Sequence, residues 1–410
     1  MRPASSRPSL IRSLHPSVVR EAVEAHGRYL KGLPAGRRAV LSYVNLNNYE
    51  LDGVELSEAD LTGALLGGAS LRGARLVRAT LYGADLRDTD LRETNLSRAD
   101  MRGACLRGAN LAGADLSRCD LREGLTAVQD DNKGLRILDH TKRPGELDHA
   151  LLQGANLSGA LMSGAFARKA DFTDADLSNV NLQGAKLANA CLDGADLSGA
   201  NLQSADMTKV SLRRAVLVGA DISGADLTAA DLSEVLRAPS PLIYIDDLPL
   251  NDVIAAHELF CRSHGAEGKA AKARGVDFRP LKGLKNRRLS GLIAPEAVFF
   301  GMDLEGAHLQ GANLVGADLR GVKLRGADLR GARLMGAQLS RADLSNAKLG
   351  PLKIGEDRVL RTDLTRAVLR GADLRGASAQ RVRLLEADLD RAKLDGADLR
   401  GAELPAIFGV

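Results

Sequence analysis

The chain has 410 residues, 45% of them hydrophobic but only 3% aromatic, with no Trp and 43 Gly, which excludes a core built on large rings. Its 56 basic and 52 acidic residues leave a formal charge of +4, a nearly balanced surface that argues against a general polyanion or nucleic-acid binder. Four cysteines are too few for a disulfide scaffold, and the absence of an 18-residue apolar span or a secretory h-region reads as a cytoplasmic protein with no transmembrane segment.

In chain order, the segment 1–20 carries Arg2, Arg7, Arg12 and Arg20, five Ser and no acid. It reads as a disordered basic tail, with a targeting or secretion segment as the alternative. Residues 16 to 31 begin with Pro16 and set Val19, Ala22, Val23, His26, Tyr29 and Leu30 on one helical face, predicting a capping helix that completes a region 1–38. From Ala39 a period of five takes over, AVLSY, VNLNN, YELDG and so on, with 17 units centred from Leu41 to Leu121 in an array 39–123. Residues 124–149 are polar and read as a loop insertion. A second array, 150–233, has 17 units centred from Leu152 to Leu232, one residue out of phase with the first, which is compatible with stacking that resumes directly.

Residues 234–286 read as a linker and a second capping helix. Pro239, Pro241 and Pro249 suggest an extended connector over 234–250. The helix is expected over 251–264, with Asn251 as N-cap, Gly265 as stop, and Val253, Ile254, His257, Phe260 and Cys261 as its stripe. The two helices correspond residue by residue: Ala22 with Val253, Val23 with Ile254, His26 with His257, Tyr29 with Phe260. Each is followed by a Gly and a base (Gly36-Arg37, Gly268-Lys269) and then a repeat-like triplet, Val44-Asn45-Leu46 or Val276-Asp277-Phe278. This predicts a duplicated module in which a solenoid restarts near residue 276. The third array, 287–405, counts 24 units centred from Leu289 to Leu404, and 406–410 form an apolar C-terminal cap in which Ile407, Phe408 and Val410 either close the last coil or pair two chains as a homodimer.

A helix cannot use a period of five, because five steps of about 100° move the apolar position by about 140° each time. A strand side can: residues two apart face inward, three residues make an edge and two make a corner. The expected core includes Leu61, Leu86, Leu116, Leu177, Leu197, Leu227, Leu319, Leu329, Leu374 and Leu399. Ala167 and Ala379 stand where Leu is expected and predict underfilled coils, with Phe166 or a neighbouring coil adjusting to fill the gap.

Units such as Ala195-Asp196-Leu197-Ser198-Gly199 resemble the pentapeptide-repeat family, over about seven-tenths of the chain. The resemblance implies an all-β solenoid, a right-handed quadrilateral parallel β-helix with four repeats per coil, about 14 coils and an axis of roughly 70 Å at the strand spacing, here with short α-helical caps. It also implies one specific alternative function, since some members resemble DNA in shape and charge and act on DNA gyrase.

Sites are sparse. His257, Cys261 and His264 have a spacing that zinc accepts, but a fourth ligand is not evident and the apolar stripe already accounts for two of them. No nucleophile arrangement, cofactor motif or phosphate loop survives inspection, and the Asp at the second repeat position is explained by surface exposure. A duplex mimic needs sustained rows of carboxylate. Residues twenty apart share a column, and the third array reads Asp303, Lys323, Asp343, Asp363, Arg383, Glu403 in one and Asn313, Arg333, Lys353, Asp373, Lys393 in another. Acids against bases number 13 to 10, 9 to 6 and 16 to 20 in the three arrays. Whole-length mimicry therefore fails, and Arg320, Arg325 and Arg330 mark a candidate stripe for an acidic partner. The reading is a non-catalytic scaffold for an unidentified protein partner, without cofactor, with a gyrase-directed DNA mimic and a secreted effector as alternatives.

Overall fold

The computed structural model describes residues 11–124, 127–130, 134–137, 144–281, 283–355 and 358–406. The expected C-terminal cap at Ile407, Phe408 and Val410, and Arg2 and Arg7 of the tail, lie outside the described residues. The chain divides into two units, residues 1–238 and 239–410.

One pentapeptide explains the coil. In Ala59-Asp60-Leu61-Thr62-Gly63, Asp60 N donates to Ala39 O of the preceding coil, and Leu61 N and Gly63 N donate to Thr80 O and Tyr82 O of the next, at 2.7–3.0 Å. Ala64 N closes a turn onto Leu61 O, and Gly63 has φ +59°, the positive value that a type II turn requires at its third residue. One N–H remains, that of Thr62, and the Asp60 Oδ1 accepts it at 3.0 Å. Ala59 and Leu61 point inward and are fully buried. The small Ala, the Asp or Asn, the Leu and the corner Gly thus each answer a separate backbone or packing demand.

The sides are shorter than the three-residue edges expected. Only the second residue of each unit keeps bridge geometry, because the turn consumes the remaining positions; the coils are joined by isolated parallel bridges. Bridge partners are separated by four pentapeptides, which make one coil. In the first unit one column runs Val40, Asp60, Thr80, Asp100, Asp120, Leu161, Asn181, Asn201, Asp221.

The two five-residue arrays of this unit share one core, from Val19 to Ala215. Cys105 bridges Glu146 and not position 125, so the chain inserts one coil's length plus a single residue there, and stacking resumes at once. The added segment contains an antiparallel hairpin, 127–130 with 134–137. Gly145-Glu146-Leu147-Asp148-His149 is a coil unit too, with Leu147 fully buried, one repeat ahead of residue 150, where the periodicity becomes clear in sequence.

Helix α1, Pro16–Leu30, covers the open end of this unit and buries Val19 and His26. Tyr29 is a correction to the expected stripe: it is 42% exposed, stacked alongside the His26 ring. Ahead of α1, Arg12–Ser13 pairs in parallel with Val44–Asn45, and Tyr49 donates to Leu14 O.

The second unit repeats the plan. Residues 234–250 are not extended throughout: Leu236 still bridges Val216, and Tyr244–Ile245 pairs with Leu248–Pro249 across Asp246 and Asp247, both at positive φ as a tight two-residue hairpin turn demands. Helix α2 spans Leu250–Arg262, and its N-cap position is Pro249, not Asn251, with no side-chain cap. It buries Leu250, Ile254, His257 and Glu258, while Val253, Phe260 and Cys261 are half-buried. Coil bridges are already present at Lys272. A six-residue step near residue 283 sets Lys272 opposite Ile293 and Asp277 opposite Val298, each one position further along than four pentapeptides would reach.

The duplication is visible in the bonds. Arg37 N donates to Ala25 O and Lys269 N to Ala256 O. His26 Nδ1 accepts from Ala39 N and His257 Nδ1 from Ala271 N, both at 3.1 Å. Gly36 and Gly268 permit this approach, since a Cβ would stand 2.4 Å from Tyr29 N or 2.2 Å from Ala256 O.

Two of the 24 units counted in the third array are not coil. Those centred on Ile354 and Val359 belong to an excursion in which Leu352–Lys353 pairs antiparallel with Val359–Leu360. Ten residues are two periods, so the phase survives and the sequence hides the break. They are also half a coil, so every later residue moves to the opposite face. The charge columns are therefore corrected: one runs Asp303, Lys323, Asp343, Asp373, Lys393, and the other Asn313, Arg333, Asp363, Arg383, Glu403.

Of the expected core, Leu61, Leu86, Leu116, Leu177, Leu197, Leu319, Leu329 and Leu374 are fully buried, whereas Leu227 and Leu399 are half-buried because each lies in the last coil of its unit. Ala167 is buried, but Phe166 does not turn inward. It holds its outward bridge to Lys186 with the Arg168 guanidinium 5.5 Å from its ring centre, and the same coil carries the fully buried Phe172 in a Leu position.

Candidate functional surfaces

The outer charges come largely in pairs set by the repeat. An Asp in the second position and an Arg in the fourth lie side by side on one side of a coil. Arg87 pairs with Asp85, Arg102 with Asp100, Arg122 with Asp120 and Arg375 with Asp373, at 2.6–2.8 Å between nitrogen and oxygen. The same carboxylates accept the Arg backbone N–H. Exposure alone therefore does not account for these acids: they satisfy a backbone donor and neutralise a neighbour. Arginine bonds hold the Asp90 carboxyl below the usual carboxylate range, and at Asp328 bonds from Arg330 and Gln310 do so against the opposing effect of burial.

The stripe expected from Arg320, Arg325 and Arg330 is not one surface. The Arg320 side chain is only 7% exposed; it pairs with Asp318 at 2.7 Å and its guanidinium sits 5.5 Å from the Phe300 ring centre. Arg330 pairs with Asp328 at 2.7 Å. Arg325 is exposed, because the second position of its unit is Lys323, which offers no carboxylate.

Of His257, Cys261 and His264, only the first two meet, with the Cys261 Sγ 3.6 Å from the His257 Nε2, and His264 does not join them. The His257 Nδ1 is occupied by Ala271 N, the Cys261 thiol donates to Ser290 O at 3.4 Å, and His264 lies exposed beyond the helix end. Burial pushes the Cys261 thiol up, away from the thiolate a metal binds. Burial likewise pushes the Cys105 thiol up to about 12. Among the described residues no three His, Cys, Asp or Glu side chains are grouped to hold a metal, and no helix is long and apolar enough to cross a membrane.

Sequence reasoning missed Glu258. It is buried on α2, pairs with Arg287 at 3.2 Å and accepts from Arg288 N, so it ties the second cap to its coil. Its counterpart in α1 is Gly27, so comparison of the two copies carried no signal for it.

The family profile of pentapeptide repeats matches in eight copies, over residues 55–92, 84–122, 150–189, 168–199, 195–233, 288–321, 312–350 and 361–404. The chain belongs to the pentapeptide-repeat family. Members form right-handed β-helices and are generally structural, non-catalytic repeat proteins. Among solved structures of the family, HetL, a pentapeptide repeat protein involved in heterocyst differentiation regulation in the cyanobacterium Nostoc sp. strain PCC 7120, is 36% identical over 48% of this chain and 78% of its own, with a TM-score of 0.33. The pentapeptide repeat protein alr5209 of Nostoc is 33% identical over 28% of this chain and 84% of its own, with a TM-score of 0.16. QnrB1, a plasmid-mediated fluoroquinolone resistance protein, is 16% identical over 49% of this chain and 90% of its own, with a TM-score of 0.41. No curated protein matches the chain. The gaps between profile copies at 123–149 and 351–360 contain the hairpin insertion and the ten-residue excursion.

Proposed function

We propose that this pentapeptide-repeat protein is a non-catalytic scaffold whose quadrilateral coils offer flat outer faces to a protein partner. One observation carries the reading: within the coils, backbone N–H groups, core side chains and most Asp and Arg side chains are occupied by the solenoid itself, which leaves broad surfaces and no convergent reactive site. The Asp–Arg pairing also bears on the gyrase alternative. A carboxylate neutralised two residues away does not present the sustained negative rows of a duplex. Cross-linking of the full-length chain in cells of its source, followed by mapping of the linked peptides, tests the proposal. One partner linked to adjacent columns of a single face, and released when two exposed residues of that face are reversed in charge, is the expected result. Links scattered over all faces, or none at near-physiological salt, overturn it. Inhibition of gyrase supercoiling by micromolar protein would instead select the DNA-mimic reading.

A further inference from the structure

One corner of the first unit breaks the rule of paired charge. The fifth positions of successive coils there are Glu58, Arg78, Arg98, Arg118 and Gly159, so three guanidinium side chains stand in one column about 4.8 Å apart per coil. In neither unit does another corner column carry three bases in succession. Most paired arginines of this unit, such as Arg87, Arg92, Arg102 and Arg122, sit in the fourth position beside an Asp; these three do not. Arg78 reaches Glu58 only at 3.8 Å, and among the described residues Arg98 and Arg118 have no acidic partner within ion-pair distance. The nearby acids are already engaged, Glu55 by Arg75 at 2.9 Å and Asp115 by Ser117 N and Asn156 Nδ2.

The column flanks an open groove of about 640 Å³ lined by Arg78, Arg98 and Arg118, by Ser57, Ser97 and Ser117 with Val77 interrupting that row, and by Glu58. The backbone fixes which substitution suits the column. Arg78, Arg98 and Arg118 have φ of +56°, +60° and +56°, a left-handed corner conformation shared by other non-glycine corners such as Lys169 and Lys209 and one that glycine adopts without strain.

We propose that this groove binds a small polyanion of the polyphosphate class, gripped by the Arg78, Arg98 and Arg118 guanidiniums with the Ser117 hydroxyl as a further donor. Guanidinium forks match phosphate oxygens in pairs, and the groove has the volume of a small-molecule site. Three charges over two coil spacings, about 10 Å, match a compact ligand better than a nucleic-acid tract. The near-neutral charge of the whole chain hides the site because composition averages over columns.

Calorimetry on the full-length chain in low salt with inorganic tripolyphosphate tests the proposal. Arg98→Gly with Arg118→Gly is the informative variant, since glycine suits both backbone positions and the melting temperature is expected to hold or rise. The expected result is saturable binding that weakens as salt is raised, falls at least about tenfold for each Arg removed, and is unchanged in Arg107→Gln on the opposite face. No binding of millimolar tripolyphosphate, or equal binding by the folded double-glycine variant, overturns the assignment. Binding of a single-stranded oligonucleotide without any response to tripolyphosphate also overturns it, in favour of nucleic acid.

Discussion

The His26 ring is the pin that fixes the first cap to the first coil, and removing it has a calculable cost. Its Nδ1 accepts from the Ala39 backbone N–H at 3.1 Å, so Nε2 carries the proton and donates to Ser57 O at 2.8 Å. The side chain is fully buried. His26→Phe keeps a planar ring, though a larger one, but deletes both bonds, at about 1 kcal/mol each, and leaves a buried N–H unpaired, which adds about 1–3 kcal/mol. A loss of about 3 kcal/mol in local stability corresponds to a rise of about 10²-fold in exchange of the Ala39 amide, read by hydrogen–deuterium exchange, which resolves local opening in a repeat array. His257→Phe is the matched control and is expected to release Ala271 while Ala39 is unaffected. Exchange at Ala39 within threefold of the parent in His26→Phe would refute the pin.

The same geometry sets a pH dependence. Burial pushes His257 below its ordinary pKa of 6.5, against the opposing effects of a Leu289 backbone hydrogen bond and the Glu258 charge. Below pH 6.5 the unfolded chain binds a proton at this ring that the folded one resists. The second cap therefore keeps its full stability above about pH 6.5 and loses it progressively as the pH falls, which thermal melts across that range would follow.

Other substitutions follow from position in the coil. Leu197→Ala, in a fully buried central coil, is expected to cost about 3–5 kcal/mol in chemical unfolding, and Leu227→Ala, half-buried in the last coil of its unit, clearly less; equal losses would contradict the coil order. Asp328→Ala removes the acceptor of Arg330 N and of the Arg330 and Gln310 side chains, for about 1–2 kcal/mol, whereas Asp328→Asn retains the backbone bond and costs less. Because its pKa is lowered in the fold, the Asp328 charge contribution is present at neutral pH and lost as the pH falls below the carboxylate range, so the parent converges on Asp328→Asn in acid melting experiments. Gly268→Ala pushes a methyl into Ala256 O and is expected to detach α2 from its coil, seen as loss of protection at Lys269 and Ala271; an unchanged exchange pattern would show that the close approach is not required.

The core was legible because the five-residue period forces the same inward pair at every step, and the duplicated cap was legible because His26 and His257 recur at matching places. The interruptions were legible only in part. The insertion after Arg122 is one residue longer than a coil, so it shifts the phase and announces itself, while the ten-residue excursion between Gly350 and Arg361 preserves the phase and misassigns two charge columns. The outward Asp looked merely solvated, since the backbone N–H it accepts is invisible until the turn is built. Arg320 looked exposed for a related reason: sequence shows that it points outward but not that Phe300 and Asp318 enclose it. The Arg78, Arg98 and Arg118 column escaped notice because an excess counted over an array does not resolve rows.

The face assignments rest on a coil of four pentapeptides with a half-coil displacement across the third-array excursion. Paired cysteine cross-linking measures this directly. Asp343 bridges Asp373, so Asp343→Cys with Asp373→Cys is expected to oxidise to an intramolecular disulfide, mapped by peptide mass, while Asp343→Cys with Asp363→Cys is not. Efficient bonding of 343 to 363, with none to 373, would show an uninterrupted array and contradict the account.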